Sequence, residues 1–245
     1  MLLYRHHSPQ MKQSVEYLTS QTKRRLDLMG GLAISAMLLP AAAITAAVSE
    51  VDTKSLNPLF RQTRVGMGGK LFDVVKFRTL PKDANTEGVQ TFGTFDPRAS
   101  RVGRAIREIG IDEMPQLLNV LRGEMSLVGM RPLLQEDIDR LEGISPRLFK
   151  RWHDYYQQAK PGLTGPSQIY RHQYKESSDE VWQEAMRLDL EYASHASLRN
   201  DLRILGGTPL RMLNARVHMV DNASAAETEA FADEVPDSQP SFAVN

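Results

Sequence analysis

The chain is organised around Gly110-Ile111-Asp112-Glu113-Met114-Pro115-Gln116-Leu117. Two adjacent carboxylates come just before a proline and an apolar run, and proline is tolerated in the first turn of a helix. Asp112 and Glu113 are therefore predicted to lie at a helix N-terminus, which favours an ionised carboxylate and a bound phosphate. Arginines stand nearby in the sequence at positions 101, 104, 107, 122 and 131. The pattern suggests a phosphate-handling site, and the alternative is an acidic capping pair with surface ion pairs.

The composition narrows the class of protein. The chain has 245 residues, a formal net charge of zero and no cysteine. This length suits one domain, or one domain with appendages, and the balanced charge gives no overall electrostatic footprint for nucleic acid. Without cysteine there is no disulfide scaffold, thiolate zinc site or cysteine nucleophile. The six histidines are scattered, so a histidine metal site is not expected.

An apolar segment near the N-terminus follows a polar lead-in at 1–22. Lys23-Arg24-Arg25 stands before an apolar run from Leu26 to Val51. Three interpretations are open: a membrane-spanning helix, a cleaved signal peptide, or a re-entrant helix that enters one leaflet and returns. Pro40 removes a helix hydrogen bond near the middle and permits a kink. Positive charge before the run places that side in the cytoplasm.

The rest of the chain predicts a small hairpin followed by helices. Two β-prone runs, 59–65 and 71–78, flank a glycine-rich turn, and Lys76 and Arg78 are expected on one strand face. Residues 81–100 are predicted to form a loop, and 102–109 a helix. Ser177-x-x-Glu180 predicts the start of a later helix, and the polar tail at 214–245 is expected to be disordered.

A longer pattern runs through the chain. It consists of Lys23-Arg24-Arg25-Leu26-Asp27, Phe60-Arg61-Gln62-x-Arg64-Val65-Gly66, Lys76-Phe77-Arg78-Thr79, Asp96-Pro97-Arg98, Arg101-Val102-Gly103-Arg104, Asp112-Glu113-x-Pro115-Gln116-Leu117-x-Asn119-Val120-Leu121-x-Gly123-x-Met125-Ser126-Leu127-Val128-Gly129-x-Arg131-Pro132 and Pro161-Gly162-x-Thr164-Gly165-x-x-Gln168. This pattern resembles the bacterial sugar transferase family, the small monotopic phosphoglycosyltransferases. The resemblance implies a predominantly helical α+β fold with a re-entrant membrane helix-break-helix at 23–51. A small β-hairpin and a helical catalytic domain at the membrane surface, within 52–213, are implied as well.

The resemblance also implies a reaction. A sugar-1-phosphate would move from a UDP-sugar to polyprenyl phosphate, with release of UMP, at the cytoplasmic face of the bacterial inner membrane. Carried over, Asp112 is the nucleophile that forms a covalent phosphosugar intermediate, and Glu113 assists, either near the metal or as a proton acceptor. Both acids are expected to lie near a required Mg²⁺, and Pro40 marks the break in the membrane helix. The residues expected to bind substrate are Arg107, Arg131, Lys76, Arg78 and Arg98.

The sequence departs from the family pattern at several positions. Leu39 precedes Pro40 where the family usually has serine, and Met130 replaces the usual proline before Arg131. The loop at 166–171 also differs, which motivates a second hypothesis: a membrane-bound homologue that binds nucleotide sugar without turnover. A third hypothesis is an exported protein with a cleaved signal. The identity of the sugar and the polymer, and whether the protein forms a homo-oligomer, stay open.

Overall fold

The structure is a computed structural model, which describes residues 9–81, 96, 98–171 and 178–212. The first half contains α1 (Pro9–Leu18), α2 (Gln21–Thr53), β1 (Leu59–Val65), β2 (Leu71–Phe77), α3 (Arg101–Ile109), a 3-10 turn (Ile111–Gln116), α4 (Leu117–Arg122) and β3 (Ser126–Val128). The second half contains α5 (Gln135–Ile144), α6 (Pro146–Tyr156), β4 (Gly162–Thr164), α7 (Pro166–Arg171), α8 (Asp179–Ser194) and α9 (Leu198–Met212). The predicted tail at 214–245 and most of the predicted loop at 81–100 lie outside the described residues. The α+β class with mostly helices is confirmed.

The predicted hairpin is confirmed. Strands β1 and β2 pair antiparallel, with Leu59 opposite Phe77 and Val65 opposite Leu71. Gly68 and Gly69 in the connection have φ angles of 69° and 72°, a left-handed conformation that glycine adopts without strain. The hairpin presents Lys76 beside the turn that carries the two acids.

Helix α2 differs from the predicted helix-break-helix. It is a single helix of 33 residues with Pro40 inside it. Helical residues continue on both sides of Pro40, although the proline removes one hydrogen bond and its ring crowds the carbonyl four residues before it, which favours a bend. Beyond the proline, the Thr45 hydroxyl donates to the Ala41 carbonyl at 2.8 Å. Among the described residues, α2 is the one helix whose length and apolar composition would allow it to cross a membrane.

Helix α2 buries its polar side and exposes its apolar side, the reverse of a helix in a water-soluble protein. Its buried residues are Lys23, Asp27, Gly31, Thr45, Ser49 and Thr53. Its exposed apolar side chains include Met29, Leu32, Met37, Leu39, Ile44 and Val51, each exposed by 60% or more. The helix therefore turns small and polar residues toward the rest of the protein and large apolar ones outward.

A buried ionic cluster fixes the start of α2. The Lys23 ammonium donates to Asp201 Oδ2 at 2.5 Å and to the Val128 carbonyl at 2.8 Å. The Tyr17 hydroxyl of α1 donates to the same Asp201 oxygen at 2.7 Å. Asp27 Oδ1 accepts from the Leu127 amide at 2.9 Å. This cluster joins α1 to α9 and, together with α2, to β3.

The core lies where α6 and α8 pack together beside the short parallel pair of β3 and β4. Its largest fully buried side chains include Trp152, Tyr156, Met186 and Leu190. Gly162 allows β4 to approach β3 closely, since a Cβ at this position would fall 2.1 Å from the Gly129 nitrogen. This core supports Arg131, which follows β3 and faces the acid pair.

Candidate active site

The turn that carries the acids is set by one glycine. Gly110 ends α3 with a φ of 79°, and its N–H donates to the carbonyls of Ile106 and Arg107. This left-handed helix end favours glycine, and it redirects the chain into the 3-10 turn at 111–116. Asp112 and Glu113 lie in the first part of that turn, just before α4. The predicted position of the acids at a helix start is confirmed.

Glu113 is held by two cations. Its Oε1 lies 3.0 Å from Lys76 Nζ and 3.6 Å from Arg131 Nη2. All three side chains are largely shielded, with exposed fractions of 23% for Glu113, 16% for Lys76 and 11% for Arg131. The structure thus brings together two of the predicted substrate-binding cations and one of the predicted acids.

Asp112 is buried, with 7% of the residue exposed. Among the described residues, no hydrogen bond or salt bridge involves its carboxylate. Burial raises its pKa to about 6, the neighbouring Glu113 charge adds to the rise, and Lys76, Arg107 and Arg131 oppose it. At neutral pH most of this carboxylate is ionised, and it faces a positive field.

Lys76 is placed by β2 and by a buried amide. Asn119 of α4 accepts from the Val75 amide at 3.2 Å and donates to the Asp73 carbonyl at 2.8 Å, so it fixes β2 against α4. Burial lowers the pKa of Lys76, and Glu113 counters that effect. In the sequence Asn119 stands out only as part of the family motif, because its positioning role depends on contacts that a motif does not reveal.

Arg98 and Arg107 meet at Asp96 rather than at Glu113. Asp96 Oδ2 lies 2.8 Å from Arg98 Nη2 and 3.4 Å from Arg107 Nη1. The hydrogen bonds from Arg98 lower the pKa of Asp96 to about 2, with Arg107 contributing. Arg107 is still close enough to Asp112 to lower the pKa of that carboxyl. Arg107 therefore acts on both Asp96 and Asp112, whereas Arg98 pairs with Asp96.

The described contacts of Arg78 lie away from the group formed by Glu113, Lys76 and Arg131. It follows the end of β2, and its guanidinium donates to the carbonyls of Asn57 and Leu59 at 3.3 Å each. The guanidinium also stands over the ring of Phe60, 5.7 Å from its centre. Its backbone carbonyl accepts from the Ser49 hydroxyl at 2.5 Å. Arg78 thus connects the hairpin to α2.

A buried arginine that the sequence did not single out stands behind Arg131. Arg64 is 2% exposed, and its Nη1 lies 3.7 Å from Asp137 Oδ2. Burial lowers its pKa to about 10, and the nearby positive charge of Arg131 adds to this. Strand alternation gives no signal for this burial, because Arg64 and its neighbour Val65 are both buried.

The two acids are compatible with Mg²⁺. Within the part of the chain that the structure describes, no three His, Asp or Glu side chains cluster as a self-contained metal site would require. Protein sites for Mg²⁺ on phosphate substrates commonly use one or two carboxylates and take the remaining ligands from water and phosphate. Asp112 and Glu113 supply such a donor set.

Comparison with known proteins places this fold and site in a family. A family profile described as bacterial sugar transferase matches residues 18–215. The chain belongs to this family. Every residue of the candidate site lies within the matched region.

Curated relatives agree with the family. This bacterial sugar transferase is 36% identical over 183 residues to a UDP-glucose:undecaprenyl-phosphate glucose-1-phosphate transferase of Caulobacter vibrioides, a match that covers 75% of this chain and 66% of the relative. It is 35% identical over 198 residues to a UDP-galactose-lipid carrier transferase of Erwinia amylovora, covering 75% and 38%. It is 35% identical over 192 residues to an uncharacterised sugar transferase of Bacillus subtilis, covering 78% and 87%. The chain thus spans less than two thirds of the length of the first two relatives.

Proposed function

We propose that this chain transfers a sugar-1-phosphate from a UDP-sugar to polyprenyl phosphate and releases UMP. The observation that carries the proposal is the contrast between the two acids: Glu113 is held by Lys76 and Arg131, whereas buried Asp112 has no such partner among the described residues. Such a carboxylate is available for attack on phosphorus, and aspartate is an established covalent nucleophile. The names of the Caulobacter and Erwinia relatives agree with this reaction class.

The reaction is a double displacement. An Asp112 carboxylate oxygen attacks the β-phosphorus of the UDP-sugar, and the bond from that phosphorus to the bridging oxygen breaks. UMP leaves with this oxygen, and the sugar-phosphate stays on Asp112 as an acyl phosphate. A phosphate oxygen of polyprenyl phosphate then attacks the same phosphorus, which frees Asp112 and gives the polyprenyl diphosphate sugar. Atoms and charges balance over the two steps.

The surrounding cations stabilise the charge on the transferring phosphate. Phosphoryl transfer depends mainly on positioning and on neutralising charge at the equatorial and leaving oxygens. Lys76 and Arg131 hold Glu113 beside Asp112, and Arg107 extends the positive field toward Asp96. Asp112 and Glu113 would hold Mg²⁺, which supplies further neutralisation of the diphosphate when bound. Glu113 stays near the reacting phosphate in either role, as metal ligand or as proton acceptor.

The protein is proposed to sit on one side of the bilayer, with α2 re-entrant. Both ends of α2 bind the same domain: Lys23 reaches Val128 near the start, and Asp52 accepts from the Ser100 hydroxyl at 2.7 Å near the end. No residue between positions 32 and 44 is buried. A helix that spanned the membrane would carry its ends to opposite surfaces, about 45 Å apart along its axis. The exposed apolar middle fits insertion into one leaflet, and a cleaved signal would remove Lys23 from the fold.

Cysteine labelling tests this topology, because the natural chain has no cysteine. Gln13→Cys lies before α2 and Leu56→Cys lies after it, and both positions are exposed. With a membrane-impermeant maleimide, both variants should react in inverted inner-membrane vesicles and neither in intact spheroplasts. Labelling of the two positions from opposite sides would establish a spanning helix instead.

A donor panel tests the reaction. Purified protein in detergent is incubated with polyprenyl phosphate, Mg²⁺ and UDP-glucose, UDP-galactose or an N-acetylated UDP-sugar, and UMP release is followed. At least one donor should give UMP and a lipid-linked sugar, and Asp112→Asn should abolish both. Binding of UDP-sugar without UMP release from any donor would instead identify the protein as a non-catalytic homologue. Full turnover by Asp112→Asn would remove Asp112 as the nucleophile.

A further inference from the structure

The hydroxyl of Tyr156 joins two backbone segments beside the candidate active site. Val65 of β1 and Leu133 form a single antiparallel bridge, in which the Val65 amide donates to the Leu133 carbonyl at 2.9 Å. Such a pair normally exchanges two backbone hydrogen bonds. Here the second one passes through the hydroxyl, which accepts from the Leu133 amide at 3.0 Å and donates to the Val65 carbonyl at 2.7 Å. One side-chain oxygen therefore completes the bridge.

The two bridged segments support the two cations that hold Glu113. Strand β1 pairs with β2, which contains Lys76, and Arg131 lies two residues before Leu133. Lys76 Nζ and Arg131 Nη2 lie 3.0 Å and 3.6 Å from the same Glu113 oxygen. Because these cations come from separate parts of the chain, their spacing depends on how firmly β1 is fixed to the Arg131 segment.

The hydroxyl of Tyr156 is held firmly in the core. The residue is 2% exposed, and its ring stacks on Trp152 with centres 4.5 Å apart. Burial raises the pKa of Tyr156, so the hydroxyl stays protonated at neutral pH and keeps its donor. Val65 and Leu133 are also buried, so their backbone groups have no solvent to replace this partner.

Packing alone does not explain the hydroxyl, because a phenylalanine ring would fill the same space. The neighbouring Tyr155 is also buried, and among the described residues its hydroxyl makes no hydrogen bond. The two tyrosines thus differ in one respect: the hydroxyl of Tyr156 connects two backbone segments and that of Tyr155 does not.

We propose that Tyr156 is a positioning residue for Arg131. Its hydroxyl fixes the Arg131 segment against the hairpin that carries Lys76, and so sets the spacing of the two cations around Glu113. On its other side the segment is held by Asp189, whose carboxylate accepts from the Arg131 backbone amide. The importance of this spacing for turnover rests on the proposed function, but the contact itself does not.

The first test is kinetic, with UMP release as the readout. Tyr156→Phe removes the bridging hydroxyl and keeps the ring, and Tyr155→Phe is the matched control. A misplacement of about 1 Å at a reacting site can cost about 100-fold in rate, so a smaller shift of Arg131 should lower kcat about tenfold. The control should keep the wild-type kcat.

A double-substitution cycle distinguishes positioning from general destabilisation. Arg131→Lys keeps a positive charge and loses the planar guanidinium. If Tyr156 acts through that guanidinium, adding Tyr156→Phe to Arg131→Lys should cost less than about twofold more, because no guanidinium remains to be positioned. A loss of the same size in both backgrounds, or an equal loss in Tyr155→Phe, would contradict the proposal.

The second test measures the contact by NMR in detergent, without turnover. With ¹³C-carbonyl proline and ¹⁵N-leucine, only leucines that directly follow a proline give a signal, and these are Leu59, Leu133 and Leu210. The Leu133 signal is assigned by its loss in Leu133→Met. Its amide should exchange faster with solvent in Tyr156→Phe, while the other two signals keep their exchange rates.

The position of Arg131 is followed in the same way. In protein labelled with ¹⁵N-arginine, the Arg131 Nε–H signal is assigned by its loss in Arg131→Lys. It should shift in Tyr156→Phe and stay in place in Tyr155→Phe. An unchanged Arg131 signal or an unchanged Leu133 exchange rate in Tyr156→Phe would overturn the proposal. A shifted signal in a protein that releases UMP from no donor would support the positioning and disprove only the proposed reaction.

Discussion

Replacing Asp112 with asparagine should stabilise the metal-free protein at neutral and alkaline pH. The fold raises the pKa of this carboxyl from 3.8 to about 6, chiefly because it is buried. A difference of one pKa unit corresponds to about 1.4 kcal/mol, so the ionised carboxylate costs the folded state about 3 kcal/mol above pH 6. A raised pKa means that this cost is absent below the unfolded-state pKa near 4 and grows as pH rises to 6. For a chain of this length, 3 kcal/mol corresponds to roughly 6–12 °C in Tm.

Thermal unfolding in detergent with a chelator present measures this effect. The Tm of Asp112→Asn should exceed that of the wild type by roughly 6–12 °C at pH 8, and the two should converge below pH 4. Asp154→Asn is the matched control, since Asp154 is exposed on α6 and should give no such pH-dependent difference. An Asp112→Asn protein that is equally or less stable at pH 8, or whose advantage grows in acid, would refute the idea that this carboxylate is held at an energetic cost.

Three further predictions concern Lys76, Lys23 and Mg²⁺. Lys76→Met removes the cation 3.0 Å from Glu113, and kcat/KM for UMP release should fall about 100-fold. Lys70→Met on the exposed turn is the control and should have little effect. A loss of less than threefold in Lys76→Met would contradict the role of Lys76. Lys23→Met leaves Asp201 buried without its cation and should lower the free energy of unfolding by about 3–5 kcal/mol. Adding Asp201→Asn should restore part of this stability, and an unchanged Tm in Lys23→Met would contradict a stabilising role for the ion pair. Chelation should abolish UMP release and added Mg²⁺ should restore it, while continued turnover in chelator would remove the metal from the account.

Much of the local structure was predictable from short-range chemistry. The β-prone runs on either side of Gly68 and Gly69 predicted the hairpin, and Pro115 predicted that the acids lie at a helix start. These features depend on neighbours within a few residues, so a single sequence contains the information. The N-cap of α8 was harder to predict. The Ser-x-x-Glu pattern predicted Ser177 at this position, and Ser177 lies outside the described residues. The N-cap of α8 is Ser178, whose hydroxyl accepts from the Val181 amide.

The assembly of the site was harder to predict, because charge pairing depends on the tertiary fold. Strand alternation placed Lys76 and Arg78 on one face, yet Arg78 follows the end of β2 and binds nearby backbone carbonyls instead. Arg98 was expected near substrate and pairs with Asp96. Pro40 signalled a lost hydrogen bond but not that α2 would continue through it.

The central claim is that Asp112 takes the sugar-phosphate from the nucleotide, and direct detection of that adduct tests it best. The protein is mixed with a ¹³C-labelled UDP-sugar accepted in the donor panel, without polyprenyl phosphate, then quenched in acid and digested. The peptide that contains Asp112 should gain the mass of one labelled sugar-phosphate, and adding polyprenyl phosphate before the quench should remove it. An unmodified Asp112 peptide in enzyme that turns over normally, or the adduct on any other residue, would contradict the account.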